Sequence, residues 1–336
     1  MDFNNLTVVT PTRVDSRWQR EDKLGALRVR ASIGRNGYRV KPGLYKIGDP
    51  GKESEVLVTA NYKLSFDVVR RNLEGIDAWI LVLETYGINV WCAAGKGTFG
   101  TDELVRQIKD SQLQLYVSHK RVIVPQLGAP GISGFKIKEA TGFSVKFGPV
   151  RAEDIGDYLA SGLKKSASMH SVRFNLKDRI LLAPVEVVNS LRYLLYAIIA
   201  VVLISGIEPG GYSLSAMWNE GWQAVLYLLL AYIAGAFLGP VFLPWLPFRH
   251  FGGKGLIIGF LVFGFVAGFS FTELTIFSFF GWLFISGAIA SFLTMNFTGA
   301  STYTSLSGVR KEMRIFVPIQ IALLILGLTA VIISKF

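Results

Sequence analysis

The chain has 336 residues, 51% of them hydrophobic, and a formal net charge of +11. A mean hydropathy of +0.41 is too apolar for a purely soluble protein, and the length admits two domains at roughly 100–200 residues each. One cysteine in the whole chain excludes an internal disulfide and an iron–sulfur cluster, which needs about four thiolates.

Residues 1–35 are polar and basic with no clear period, and read as a flexible arm without a basic-then-apolar signal peptide. Residues 55–60 (EVLVTA) form an apolar run that predicts a buried strand. Residues 62–73 follow with helical spacing at Leu64, Val68, Val69 and Leu73. A second continuously apolar strand is expected at 78–83, a helix at 102–112 and a third strand at 121–125. Residues 136–140, 144–147 and 152–163 continue the alternation. Strands apolar on both faces that alternate with helices imply a parallel sheet covered on both sides, here a Rossmann-like α/β domain over 36–165. Ligands in such sheets sit beyond the carboxyl ends of the strands, which directs attention to the loops after Leu83 and after Pro125.

The single cysteine lies in the first of those loops, in Asn89-Val90-Trp91-Cys92-Ala93-Ala94-Gly95-Lys96. Asn89 is a good N-cap residue, which makes Cys92 the third residue of the helix. The positive end of the helix dipole favours a thiolate there, and Lys96 shares the face four residues on. With small neighbours at 93–95, the sulfur suits the axial position on a metal held by a large flat macrocycle. A buried, inert thiol remains the alternative. A cysteine–histidine catalytic pair is disfavoured, because none of His119, His170 and His250 is placed near Cys92 by the sequence.

Residues 166–190 read as a juxtamembrane linker, and 191–336 as an all-α domain of five membrane spans. The apolar stretches are 191–207, 222–243, 255–271, 274–294 and 315–333, most of them near the ~20 residues a bilayer core demands. Beyond Leu191 the only Lys and Arg residues are Arg192, Arg249, Lys254, Arg310, Lys311, Arg314 and Lys335. Positive charge alternates between successive loops, so the positive-inside rule puts the N-terminal domain in the cytoplasm and the C-terminus outside. No Asp, Glu, Lys or Arg lies in the middle of a span, which argues against an ion-coupled pump. Small-residue pairs at Gly235/Gly239, Gly255/Gly259 and Gly264/Gly268 read as close helix packing. The basic excess beside a membrane points to lipid headgroups, and no aromatic-basic stripe points to nucleic acid.

Three stretches carry a family resemblance: Tyr38-Arg39-Val40-Lys41-Pro42-Gly43-Leu44-Tyr45, Val56-Leu57-Val58-Thr59-Ala60-Asn61-Tyr62-Lys63 and Asp77-Ala78-Trp79-Ile80-Leu81-Val82-Leu83. They lead into Gly87-Ile88-Asn89 and the cysteine run, which continues to Gly97-Thr98-Phe99-Gly100-Thr101. With Gln126-Leu127-Gly128-Ala129-Pro130-Gly131 and Gly148-Pro149-Val150-Arg151-Ala152-Glu153-Asp154-Ile155, this resembles the corrinoid-binding domain of the corrinoid iron–sulfur protein large subunit of the acetyl-CoA pathway, over about 36–165. Fusion of that domain to five spans resembles the mercury-methylating corrinoid protein family.

The resemblance implies a cobalamin-type corrinoid whose cobalt takes Cys92 as lower axial ligand. It implies a cap made of Asn89, Val90, Trp91, Ala93, Ala94, Gly95 and Lys96. Thr59, Asn61 and the loop Gly128, Ala129, Pro130 and Gly131 would shape the corrin pocket. The implied reaction is methyl transfer from methyl-cobalt(III) to Hg(II). A soft, strongly donating thiolate opposite the methyl group favours its departure toward a soft acceptor. Restoring cobalt(I) takes two electrons, and the chain has no thiols for a cluster. A ferredoxin-like iron–sulfur protein is therefore expected as reductant, with a methyl-folate or its methyltransferase as methyl donor. Mercury is expected as small Hg(II) thiolate complexes. The alternatives are a membrane-tethered corrinoid methyl carrier of one-carbon metabolism and a corrinoid receptor or transporter.

Overall fold

The structure is a computed structural model and describes residues 10–269, 274–300 and 306–336. Two compact units divide the chain near residue 173.

The first unit is built on a six-stranded sheet. Strands β1 (Thr12–Val14), β2 (Gly43–Ile47), β3 (Val56–Ala60), β4 (Ala78–Leu83), β5 (Arg121–Val124) and β6 (Ser144–Phe147) lie in the order β1-β2-β4-β3-β5-β6. β4, β3, β5 and β6 are parallel, and β2 runs antiparallel to β4. The continuous apolar runs are explained by two cores, one on each face. Val56, Val58, Ala60, Leu81 and Leu83 pack against α3 (Val90–Lys96), α4 (Thr101–Asp110) and α5 (Gly134–Thr141). Leu57, Ile80, Val82 and Ile123 pack on the other side with α2 (Lys63–Arg71) and α6 (Ile155–Ala160). Each aliphatic side chain so enclosed contributes about 1.5–3 kcal/mol.

The segment read as a flexible arm carries β1 and a helix, α1 (Arg20–Arg30). Its apolar contribution is small, since Ala26 and Val29 are its buried hydrophobic residues. Charge holds it instead. Asp22 pairs with Arg70 at 2.6 Å and Lys63 at 2.5 Å, and both cations also bind Asp67. Arg70 donates further to the carbonyls of Asp15 and Arg17, and Trp18 Nε1 donates to the Asp67 carbonyl at 2.8 Å. A charge-anchored helix has no apolar period to read, which is why the sequence shows an arm. β2 was likewise absent from the expectation, lying in a short run that breaks at Pro42-Gly43.

The second unit has five helices long and apolar enough to cross a membrane: Leu176–Ser205, Leu214–Phe242, Phe251–Phe269, Ile276–Asn296 and Ser307–Ile333. The first, α7 (Leu176–Ser205), absorbs much of the expected linker. Asn175 and Asp178 form a reciprocal capping box that starts it, and buried Arg179 donates to the carbonyls of Val241 and Phe174. A short hairpin, β7 (Ile207–Glu208) with β8 (Gly211–Tyr212), joins it to α8 (Leu214–Ile233). A π-helical turn at Ala234–Leu238 and the short α9 (Gly239–Phe242) continue α8. α10 (Phe251–Phe269), α11 (Ile276–Asn296) and α12 (Leu306–Ile333) complete the unit.

The small-residue pairs divide. A Cβ at Gly235, Gly255 or Gly259 would fall within 2.6 Å of α11 backbone, and one at Gly239 would strike Thr294, so these four positions mark tight helix contacts. A Cβ at Gly264 or Gly268 would meet nothing within 4 Å, so among the described residues the third pair marks no tight helix contact. The turn around Thr272 and Glu273, used for the charge pattern, lies outside the described residues.

Candidate functional site

Strand order reverses between β3 and β5, where the chain leaves β3 for β4 on one side and returns to β5 on the other. The loops beyond these carboxyl ends flank the crevice in which open α/β sheets bind ligands.

After β4 the chain turns through Tyr86 and Gly87, both with positive φ, into α3. Asn89 is extended (φ −66°, ψ 160°), and its Oδ1 accepts from the Cys92 backbone N–H at 2.9 Å. Cys92 is therefore the third helical residue, as the spacing predicts, and it is exposed. The helix closes at Gly97 (φ 82°), a left-handed cap that disfavours a side chain.

The faces of this helix are distinct. Val90, Ala93 and Ala94 turn into the core, while Trp91, Cys92, Gly95 and Lys96 are exposed. A Cβ at Gly95 would meet nothing within 4 Å, so the surface beside the sulfur is open and unobstructed. The alanines serve close packing against the loop 126–131. A Cβ at Gly131 would stand 2.1 Å from the Phe99 carbonyl oxygen and 3.5 Å from Ala94 Cα. Gly128 is buried over the Phe99 ring, Ala129 is half-buried and Pro130 is exposed. Thr101 fixes the end of this loop, accepting from the Ser133 N–H at 2.8 Å and donating to the Gly131 carbonyl at 3.3 Å. Lys165 Nζ donates to Gln126 Oε1 at the loop's start, and burial pushes its amine below the ordinary lysine range.

Asn61 stands at the end of β3, fully buried. Its Oδ1 accepts from Thr85 N (3.2 Å), Thr85 Oγ1 (2.9 Å) and Gly87 N (2.9 Å), and its Nδ2 donates to Glu84 Oε1 at 2.6 Å. The single Thr85 hydroxyl hydrogen has a second acceptor within reach, the Ile88 carbonyl at 2.7 Å. One side chain thus sets the path of the loop that delivers Asn89 and Cys92. Thr59 is buried within β3, paired in register with Val82. The sequence reading gave no role to Thr85, Phe99 or Thr101, which build the seat of α3. Their signal was their place inside the quoted run and directly before it.

Among the described residues no three His, Cys, Asp or Glu side chains gather as a metal site, so the local donor is the single Cys92 sulfur. A planar macrocycle suits that arrangement: one soft donor projects from an open helix face, beside a backbone-lined loop, at the mouth of the sheet.

Residues 23–159 match the family model described as CO dehydrogenase/acetyl-CoA synthase delta subunit, which stops short of the five apolar helices. Over 127 residues the chain is 33% identical to the acetyl-CoA decarbonylase/synthase complex subunit gamma of Methanopyrus kandleri, covering 37% of this chain and 27% of that one. The corresponding subunit of Archaeoglobus fulgidus is 32% identical over 127 residues, with the same coverage. That of Methanothermobacter thermautotrophicus is 35% identical over 122 residues, 36% of this chain and 26% of its own. The chain spans about a quarter of the length of these relatives. They support a likeness to subunits of the acetyl-CoA decarbonylase/synthase complex, and none of these three is named for mercury chemistry.

Proposed function

We propose that the first unit binds a corrinoid and serves methyl transfer, with Cys92 as the residue whose sulfur would hold its cobalt, while the five helices anchor the protein in the cytoplasmic membrane. The observation that carries the reading is the exposed Cys92 on a capped helix beside the 128–131 loop, within the region that matches the acetyl-CoA pathway family. When bound, a corrinoid supplies a cobalt that accepts and releases a methyl group. The chain's own residues do the rest. Asn89 holds the helix start and so fixes the direction of the Cys92 side chain. Lys96, four residues on from Cys92, adds an exposed positive charge to the helix. Asn61 and Thr85 hold the loop that sets the height of the helix above the sheet. Gly128 and Gly131 keep the neighbouring loop low against α3.

The relatives' names favour a methyl carrier of one-carbon metabolism. A second reading has Hg(II) as acceptor. It is favoured by a lone thiolate ligand, whose donation suits methyl release to a soft ion, on a chain that also carries five apolar helices. Both readings need an external reductant, for which a ferredoxin-like iron–sulfur protein has the right chemistry, and a methyl-folate or its methyltransferase as donor. In this reading the loop charges orient the first unit toward the cytoplasm and the C-terminus outside.

The test is to reconstitute the full chain with a corrinoid, methylate it, and offer Hg(II) thiolate complexes and one-carbon acceptors side by side. Methylmercury alone selects the second reading, and transfer to a one-carbon partner alone selects the first. Retention of the methyl group against every acceptor overturns both.

A further inference from the structure

A cavity of about 940 Å³ lies between α7, α8, α11 and α12. Its walls are mostly apolar, with Leu194, Leu293 and Leu324 among them, and among the described residues no Lys or Arg lines it. Its one carboxylate is Glu186, whose Oε1 accepts from Asn296 Nδ2 at 3.1 Å. The hydroxyls nearby are already engaged: Ser190 donates to the Tyr232 hydroxyl at 3.0 Å, and Tyr232 donates to the Val187 carbonyl. Gln320 also lines the cavity; it is buried, and its side-chain carbonyl has no hydrogen-bond partner.

Depth follows from helix geometry. From Glu186 to Ser205, the end of α7, the rise is roughly 28 Å at about 1.5 Å per residue. That is close to the hydrocarbon thickness of about 30 Å. With Ser205 at one interface, Glu186 therefore stands at the headgroup level of the other, and Asn296, at the end of α11, meets it there. The cavity is thus an apolar slot with a carboxylate at its mouth and, among the described residues, no Lys or Arg in its own lining; Arg192 touches that lining from outside, donating to the Tyr193 hydroxyl at 2.7 Å.

We propose that this cavity is a lipid site, holding one acyl chain of an ethanolamine-headed phospholipid whose ammonium pairs with Glu186. The inference rests on the reading of the five helices as membrane spans. A primary ammonium brings both positive charge and N–H donors to a carboxylate. A choline head has the charge without the donors, and a glycerol-phosphate head sets like charge beside Glu186. The phosphate stays outside in the headgroup layer, since among the described residues no Lys or Arg lines the slot to receive it.

The experiment is native mass spectrometry of the detergent-solubilised full chain with equal amounts of palmitoyl-oleoyl phosphatidylethanolamine, phosphatidylcholine and phosphatidylglycerol. A carboxylate–ammonium contact worth about 1 kcal/mol predicts roughly fivefold more ethanolamine adduct than glycerol adduct. Glu186→Gln abolishes that preference, and Leu324→Trp, which fills the slot, lowers adducts of all three lipids. Equal adducts in the wild type, or a preference that survives Glu186→Gln, overturns the proposal. A chain that stays monodisperse without detergent sinks the membrane reading itself, a distinct result.

Discussion

Replacing Asn61 with Ala tests whether one buried amide sets the path to the cysteine. The change removes the acceptor of two backbone donors, Thr85 N–H and Gly87 N–H, both in buried residues, and the donor to Glu84. The Thr85 hydroxyl keeps its bond to the Ile88 carbonyl and drops out of the cost. A buried donor left without a partner costs about 1–3 kcal/mol, so two of them set a local penalty of about 3 kcal/mol. Hydrogen exchange over 84–96, followed by mass spectrometry on the full chain, should then speed up roughly 100-fold, at about 1.4 kcal/mol per factor of ten. Exchange in β3 and β4, where the ladder is untouched, should change far less. Asn61→Asp keeps the acceptor but sets a second carboxylate against Glu84. That pair raises the folded-state pKa of one carboxyl, so the penalty is largest at neutral pH and shrinks as pH falls through the carboxylate range. Wild-type exchange at 84–96 in Asn61→Ala would mean that Asn61 does not hold this loop.

Asn89→Ala removes the cap of a seven-residue helix and should cost about 1 kcal/mol, with Asn89→Ser near wild type; circular dichroism melts of the full chain measure both. Gly131→Ala puts a methyl carbon against the Phe99 carbonyl and should push the loop off α3, weakening corrinoid binding at least tenfold in a titration while β-sheet exchange protection persists. Burial raises the Asp22 pKa, but hydrogen bonds from Lys63, Gln19 and Arg70 outweigh it and lower the value from 3.8 to about 2. A depressed carboxyl stabilises the fold above its unfolded pKa, so about 2 kcal/mol should be lost as pH falls from about 4 to about 2, and Asp22→Asn should flatten that part of the pH–stability curve.

Much of the first unit was legible because its central strands carry uninterrupted apolar runs, which is what a sheet with cores on both faces requires. The Asn89 cap was equally readable, since capping is a local rule with a short span. Contacts that depend on distant partners were not. α1 is held by Arg70 and Lys63, more than 40 positions away, and shows no periodic stripe of its own. Asn61 read as a pocket residue, yet its bonds run to Thr85 and Gly87, and only the pairing of β3 with β4 brings them together. The start of α7 was obscured because Lys177, Asp178, Arg179 and Glu186 interrupt the apolar run that marks a span, although the capping box at Asn175 signals the true end. The small residues 93–95 divide in a way that spacing alone does not show: Ala93 and Ala94 are buried, with Ala94 close to Gly131 of the 126–131 loop, and the open outer surface comes from Gly95.

Ligation of a bound corrinoid's cobalt by the Cys92 sulfur is the proposal on which the functional reading turns. The optical spectrum of the reconstituted full chain tests it directly, wild type against Cys92→Ala. The account predicts corrinoid bound to both, a cobalt spectrum that shifts when the thiol is removed, and loss of methyl transfer with it. Identical spectra and unchanged methyl transfer in Cys92→Ala would contradict the account.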